Sequence, residues 1–388
     1  MTQTFEALEL NQSLVEALKK QSITIPTEIQ QLTIPKVLQK KDLIVQSETG
    51  TGKTLAYLLP LYQKLVTQDR EMQVIILTPT HELAIQVQRQ IERLTENSGV
   101  KILSCPIIGN VNIKRQVEKL REKPQIIVGS SGRILELIKM KKITAHTVKT
   151  IILDEADRLM EDNNIENVKA VIKSTLKDRQ LMMFSATISK ETIAKAKEIM
   201  REPEVLRGEL KASVPEAIEH IFFLTEQRDK IEVLRKLVRM LNPAKAIAFV
   251  NQSREIEIAA SKLQFHGLKA DAIHGANIKF DRKKAMEDFR TGKIQLLLAS
   301  DLAARGLDIE GVTHIFNLDM PEDAKDYLHR AGRTGRNGNT GLVISIVTER
   351  ELPLIKMYEK EFKLEIIPKA MYKGEVIEAT NVPGGRFL

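Results

Sequence analysis

Short apolar runs alternate along the chain with stretches of helical periodicity, and this alternation constrains the fold more than any other feature of the sequence. Leu43-Ile44-Val45, Val74 to Leu77, Ile126-Ile127-Val128, Ile151-Ile152-Leu153 and Leu181 to Phe184 contain no polar alternate. A strand that is apolar at every position is buried on both faces, the condition of a parallel sheet covered by helices on both sides. The pattern restarts after position 215 with Ile221 to Leu224, Ile247 to Val250, Ile294 to Ala299, Thr313 to Leu318 and Leu342 to Val347. The sequence therefore predicts an α/β fold of two tandem units, each a mostly parallel sheet flanked by helices. The length of 388 residues agrees, being more than one compact core usually supports. The polar, weakly patterned segment 208–216 reads as a short linker, which sets the expected domains at residues 1–207 and 217–388.

In open parallel sheets ligands sit at the carboxyl ends of the strands, so the residues just after each apolar run are where chemistry is expected. After the first strand comes Ser47-Glu48-Thr49-Gly50-Thr51-Gly52-Lys53-Thr54, followed by the helix-like Leu55-Ala56-Tyr57-Leu58-Leu59. This resembles a Walker A loop. Its glycines let backbone N–H groups and the following helix N-terminus face phosphate oxygens, while Lys53 reaches the β- and γ-phosphates and Thr54 can ligate Mg²⁺. Ser47 stands where the strict pattern has glycine.

Ile151-Ile152-Leu153 then delivers Asp154-Glu155-Ala156-Asp157 to a strand's carboxyl end, as a Walker B acid is delivered to a metal. Asp154 is the expected Mg²⁺-side carboxylate and Glu155 the expected general base. An acidic tetrapeptide alone could simply cap the next helix; its pairing with the Gly-Lys-Thr loop favours the nucleotide reading.

Two such elements name a cofactor and leave the task open. A formal charge of +8 suits a polyanionic partner without requiring one. Aromatic residues make up only 4% of the chain and Trp is absent, so base stacking is not expected to dominate any nucleic-acid contact. One cysteine, Cys105, excludes an intrachain disulfide framework and reads as a small buried hydrophobe. The first residues lack a basic segment followed by an apolar one, and no apolar run reaches the roughly 18 residues of a membrane span. A cytoplasmic protein is expected.

His329-Arg330-Ala331-Gly332-Arg333-Thr334-Gly335-Arg336 in the second unit spaces three arginines evenly among glycines. Arginines so placed could neutralise charge on a transferring phosphoryl group; a solvated basic turn is the plainer reading. Taken together, these motifs resemble the DEAD-box ATP-dependent RNA helicases of superfamily two, in a minimal, bacterial-like core. The resemblance runs from Phe5 to about Val347.

That resemblance implies two RecA-like domains, the first binding ATP and the second completing the helicase. It further implies adenine recognition by Gln30 with stacking on Phe5, and a ribose contact from Asp308. Catalysis would rest on Lys53, Glu155, Arg333 and Arg336. Coupling of hydrolysis to domain movement is implied for Asp157, Ser185, Thr187, Arg305, His329 and Arg330. RNA contacts are implied for Pro79, Thr80, Gly109, Ser131, Arg133, Arg282, Ser300 and Asp301.

The RNA-facing positions depart most from the family pattern. His81 stands in place of Arg, Asn110 in place of the second Gly, Ser130-Ser131 in place of Thr-Pro, and Lys279 in place of Gln. Ser131 is expected to cap the next helix, whose N-terminus would face an RNA phosphate. His81 reads either as a titrating phosphate contact or as a simple surface residue. The implied activity is ATP-dependent, sequence-independent local unwinding of short RNA duplexes or remodelling of RNA–protein complexes by a monomer. Ribosomal precursors and mRNA complexes are the family-level targets. An ATP-gated RNA clamp and a DNA-directed ATPase would share the same nucleotide motifs.

Overall fold

The computed structural model describes residues 4–47, 50–109, 111–208, 217–273, 279–304, 309, 311–335 and 339–381. The chain divides into two compact units, Met1–Leu210 and Lys211–Leu388; residues 209–216 of the expected linker lie outside the described residues.

The first unit carries seven strands: β1 (Leu43–Gln46), β2 (Val74–Leu77), β3 (Ser104–Ile107), β4 (Ile126–Gly129), β5 (Thr150–Asp154), β6 (Gln180–Ser185) and β7 (Glu204–Arg207). They form one sheet in the order β3-β4-β2-β5-β6-β1-β7, with every pairing parallel. Alternation along the pleat explains why whole runs are apolar. Val74 and Ile76 enter the core on one face while Ile75 and Leu77 enter the core on the other. Each such buried aliphatic side chain contributes about 1.5–3 kcal/mol of transfer free energy. Cys105 is buried in the second of these cores, and burial pushes its thiol up to about 11, which keeps it protonated and unreactive.

The second unit adds β8 (Ile218–Leu224), β9 (Ala246–Phe249), β10 (Ala270–Ile273), β11 (Leu296–Ala299), β12 (His314–Asn317), β13 (Gly341–Val347), β14 (Ile367–Tyr372) and β15 (Glu375–Glu378). Their order is β10-β11-β9-β12-β13-β8-β14-β15, parallel throughout except for the β14–β15 hairpin. Lys373 and Gly374 turn that hairpin with φ of 48° and 85°, the paired positive values that a two-residue turn between twisted strands demands. Here too the two faces bury separate clusters, Ile247 and Phe249 on one side and Ala246 and Ala248 on the other.

The sequence pattern missed four outer strands and one next to an edge. β3 and β7 bound the first sheet, β10 and β15 bound the second, and β14 lies beside β15. An edge strand has one neighbour and tolerates what a central strand does not, including Pro106 within β3. Beyond Val347, the chain adds the helix Leu352–Phe362 and the β14–β15 hairpin to the second sheet. Among the described residues no helix is long and apolar enough to cross a membrane.

Candidate active site

The carboxyl ends of β1, β6 and β5 lie side by side, with Gln46 registered against Ser185 and Phe184 against Asp154. The Gly-Lys-Thr loop leaves β1 there, anchored by the Ser47 N–H donating to the Ser185 carbonyl at 3.0 Å. Gly50 and Gly52 adopt φ of 84° and 88°, and a Cβ on Gly52 would collide with the Gln30 amide. Glycine is therefore required at position 52 on two counts. The helix Lys53–Lys64 begins at once. Lys53 Nζ donates to the Ser47 carbonyl at 2.5 Å, and the Ser47 and Thr51 hydroxyls lie 2.7 Å apart. Glu48 and Thr49 lie outside the described residues.

Gln30 is buried and closes this loop from the side. Its Oε1 accepts the Thr27 N–H at 3.0 Å and its Nε2 donates to the Gly52 carbonyl at 3.2 Å. Thr27 and Gln30 form a capping box at the start of the helix Glu28–Leu38, a Thr-x-x-Gln signature legible in the sequence. Phe5 is 1% exposed within the apolar core. As the ring stands it is core packing, and stacking on a base would require its cover to move.

Asp154 ends β5 at 4% exposure. Its Oδ2 accepts the Tyr57 hydroxyl at 2.8 Å and its Oδ1 accepts the Glu155 N–H at 3.0 Å. Burial raises its pKa to about 6; the Tyr57 hydrogen bond opposes the rise, the Glu155 charge adds to it, and the nearby Lys53 charge opposes it. Glu155 sits in the left-handed region at φ 51°, and its Oε2 is buried with no hydrogen-bond partner among the described residues. A buried carboxylate oxygen without a partner is costly and marks a place where a ligand, a water or an ion completes the bonding. The donor set, all hard oxygen with a hydroxyl from Thr54 at the helix start, suits Mg²⁺. Asp157 Oδ2 accepts the Thr187 hydroxyl at 2.7 Å, joining the acidic segment to the turn after β6. Ser185 is fully buried and its Oγ has no partner among the described residues.

In the second unit Arg330 is 1% exposed and makes five hydrogen bonds. It donates to Asp301 Oδ1 and Oδ2 at 2.7 and 2.6 Å, to Asn317 Oδ1 at 3.1 Å, to the Asp319 carbonyl at 2.6 Å and to Asn251 Oδ1 at 3.1 Å. Its guanidinium also lies 4.8 Å over the Phe249 ring. Both Asp301 oxygens thus hold Arg330, a positioning task within the unit. Ser300 Oγ accepts the Ala303 N–H at 3.3 Å, and Arg282 donates to the Ala303 carbonyl at 2.9 Å. His329 Nδ1 lies 3.8 Å from Asp326, and Arg333 is 9% exposed. Arg305, Gly306, Asp308, Arg336 and the side chains of Lys279 and Asp281 lie outside the described residues.

On the expected RNA side of the first unit, Thr80 follows Pro79 and caps the helix His81–Ser98, its Oγ1 accepting the Leu83 N–H at 3.2 Å. His81 is more than a surface residue, for its Nε2 accepts the Gly109 N–H at 3.1 Å. The expected cap at Ser131 is also corrected. Ser131 is the first residue of the helix Ser131–Lys139, and the N-cap is Ser130, whose side chain makes no capping bond. An extended backbone at Ser130 places it one residue outside the helix. Arg133 donates to Glu136 at 2.8 Å and to the Val111 carbonyl at 2.9 Å. Asn110 lies outside the described residues.

Two largely parallel sheets, with a Gly-Lys-Thr loop and an acidic pair at adjoining strand ends, define the tandem RecA-like class of nucleotide-driven proteins. The family profile described as DEAD/DEAH box helicase matches residues 27–196, and that described as helicase conserved C-terminal domain matches residues 229–338. The DEAD-box ATP-dependent RNA helicase CshC of Bacillus cereus is 41% identical over 94% of this chain and 93% of its own length. The probable ATP-dependent RNA helicase YfmL of Bacillus subtilis is 40% identical over 96% of this chain and 98% of its own. Among solved structures, S. cerevisiae Dbp5 bound to RNA and ADP BeF3 superimposes with a TM-score of 0.85 at 29% identity, covering 94% of this chain and 95% of that one. The chain belongs to the DEAD-box family of ATP-dependent RNA helicases.

Proposed function

We propose that this helicase binds ATP with Mg²⁺ in its first domain, residues 1–207, and uses its hydrolysis to separate short RNA duplexes locally or to remodel RNA–protein complexes. Asp154 and Thr54 would hold the metal, which supplies charge neutralisation on the phosphates. Lys53 leaves the Ser47 carbonyl for the β- and γ-phosphates, and the loop N–H groups complete the phosphate cradle. Glu155 orients the attacking water and takes its proton. Arg333 and Arg336, from the second domain at residues 217–388, stabilise charge on the transferring phosphoryl group. Gln30 reads the adenine edge. Asp157, Ser185, Thr187, His329, Arg330 and Arg305 transmit hydrolysis to movement.

RNA is held through its backbone by Thr80, Gly109, Arg133, Arg282, Ser300 and the helix N-terminus at Ser131. Binding is therefore indifferent to sequence and weakened by salt. The protein acts as a cytoplasmic monomer on ribosomal precursors or mRNA complexes.

The observation that carries the catalytic reading is the buried Oε2 of Glu155, without a partner among the described residues, beside Asp154 with both of its oxygens hydrogen-bonded. Glu155→Gln keeps the shape and removes the base. It should lower RNA-stimulated ATP hydrolysis by at least about a hundredfold, the lower end of the range for loss of general-base catalysis, with nucleotide binding retained. Lys53→Ala should lose both. RNA-stimulated turnover by Glu155→Gln at the wild-type rate would remove Glu155 from the chemistry.

A further inference from the structure

We propose that Tyr57 is a positioning residue for Asp154, its hydroxyl fixing the rotation of the carboxylate that is to face the metal. The inference rests on the reading of Asp154 as the Mg²⁺-side acid. Tyr57 lies one turn into the helix Lys53–Lys64 and is fully buried, packed at 5.0 Å against the Phe184 ring. Its neighbours Leu55, Ala56, Leu58 and Leu59 belong to the same apolar core. A phenyl ring would fill that space as well. The hydroxyl must therefore be satisfied where no water reaches, and burying it without a partner would cost about 1–3 kcal/mol. Its partners are Asp154 Oδ2 at 2.8 Å and the Thr54 side chain.

With the Glu155 N–H on Oδ1 at 3.0 Å, the carboxylate is held from both oxygens, and each retains a free lone pair. Two bonds on opposite oxygens fix the plane of the group, whereas one leaves it free to turn about Cβ–Cγ. Tyr57 and Lys53 share the helix that opens the phosphate loop, so one element carries both the phosphate ligand and the group that aims the acid. Outer partners of metal-binding carboxylates typically change metal affinity by about 10–100-fold when removed.

Tyr57→Phe in the full chain should raise the Mg²⁺ concentration needed for half-maximal binding of a fluorescent ADP analogue about tenfold. Affinity measured in EDTA should stay within about twofold, the size of change expected where no metal contact is altered. RNA-stimulated kcat at saturating Mg²⁺ should stay close to wild type, with the loss confined to the apparent KM for Mg²⁺. In an Asp154→Asn background, Tyr57→Phe should produce no further shift in Mg²⁺ dependence, because its effect passes through that carboxylate. An unchanged Mg²⁺ midpoint in Tyr57→Phe, whether or not its melting temperature falls, would overturn the proposal and leave the hydroxyl a packing feature. If Asp154→Asn itself leaves Mg²⁺ dependence intact, the metal reading of the site has failed, a result distinct from failure of Tyr57 alone.

Discussion

Arg330 offers a direct measure of how firmly the second unit holds its arginine-bearing turn. Its guanidinium is 1% exposed and donates five hydrogen bonds to four residues, while the Asp301 side chain keeps 23% exposure. Removing one partner of a buried pair costs about 3–5 kcal/mol, most of it from the charge left behind. Because Asp301 can regain some water, the lower end applies, and Arg330→Met should destabilise the second unit by about 3 kcal/mol. Arg330→Lys retains the charge but loses the planar fork and the packing over Phe249, at a smaller but measurable cost. Adding Asp301→Asn to Arg330→Met should return about 1–2 kcal/mol, since no uncompensated carboxylate remains.

The consequence reaches the site through the backbone. The Arg333 N–H donates to the Arg330 carbonyl at 3.1 Å, and the Thr334 hydroxyl donates to the Val312 carbonyl at 2.7 Å. Arg330→Lys, assayed where it is fully folded, should lower RNA-stimulated kcat more than RNA affinity. Urea unfolding resolves the stability terms and steady-state ATPase the catalytic one. The reasoning fails if Arg330→Lys unfolds within about 0.5 kcal/mol of wild type, the scatter of neutral substitutions, or if the cycle with Asp301→Asn shows no coupling.

Two further outcomes follow from buried groups elsewhere. His220 is 4% exposed, with Nδ1 2.6 Å from the Tyr327 hydroxyl and Nε2 without a partner among the described residues; burial lowers its pKa to about 4. Its folded value lies below the unfolded one near 6.5, so this contribution to stability is present above about pH 6.5 and is lost as pH falls toward 4. The loss amounts to at most about 3 kcal/mol, and His220→Gln should flatten that limb of a stability–pH curve; a limb of equal depth in the variant would refute the assignment. Gly129→Ala places a Cβ against the Ile107 carbonyl across the β3–β4 pairing and should destabilise the first unit by about 2–3 kcal/mol through overpacking, a figure that chemical denaturation checks directly.

What the sequence made legible is the centre of each sheet and the loops that leave it. β1, β5 and β6 are apolar along most of their length because both faces are buried, and the residues at their ends are polar because they leave the core. That contrast exposes Lys53, Asp154, Glu155 and Thr187 to a reader of the sequence. β3, β7, β10 and β15 were hidden because an edge strand satisfies a weaker rule. Tyr57 was hidden for a different reason. Within Leu55-Ala56-Tyr57-Leu58-Leu59 an aromatic residue reads as core, and only three-dimensional proximity reveals that its hydroxyl reaches Asp154, 97 positions away. The pairing of Asp301 with Arg330 was hidden because periodicity and motif spacing cannot tell which polar groups bind each other.

The same distinction accounts for where the chain departs from its family. Side chains with a specific electrostatic task are locked by their neighbours: Gln30 by Thr27 and Gly52, Asp154 by Tyr57 and Glu155, Arg330 by Asp301, Asn317 and Asn251. A substitution at any of these leaves a buried partner unsatisfied and is penalised at once. His81 and Ser131 instead open the helices His81–Ser98 and Ser131–Lys139, and Ser130 lies one residue ahead. At a helix start, free backbone N–H groups and the helix dipole attract phosphate whatever the side chain. If RNA is gripped there through its backbone, as proposed, the side chain at such a position is free to change. His81 has then been recruited to a local task, accepting the Gly109 N–H, without removing the donors that a phosphate would use.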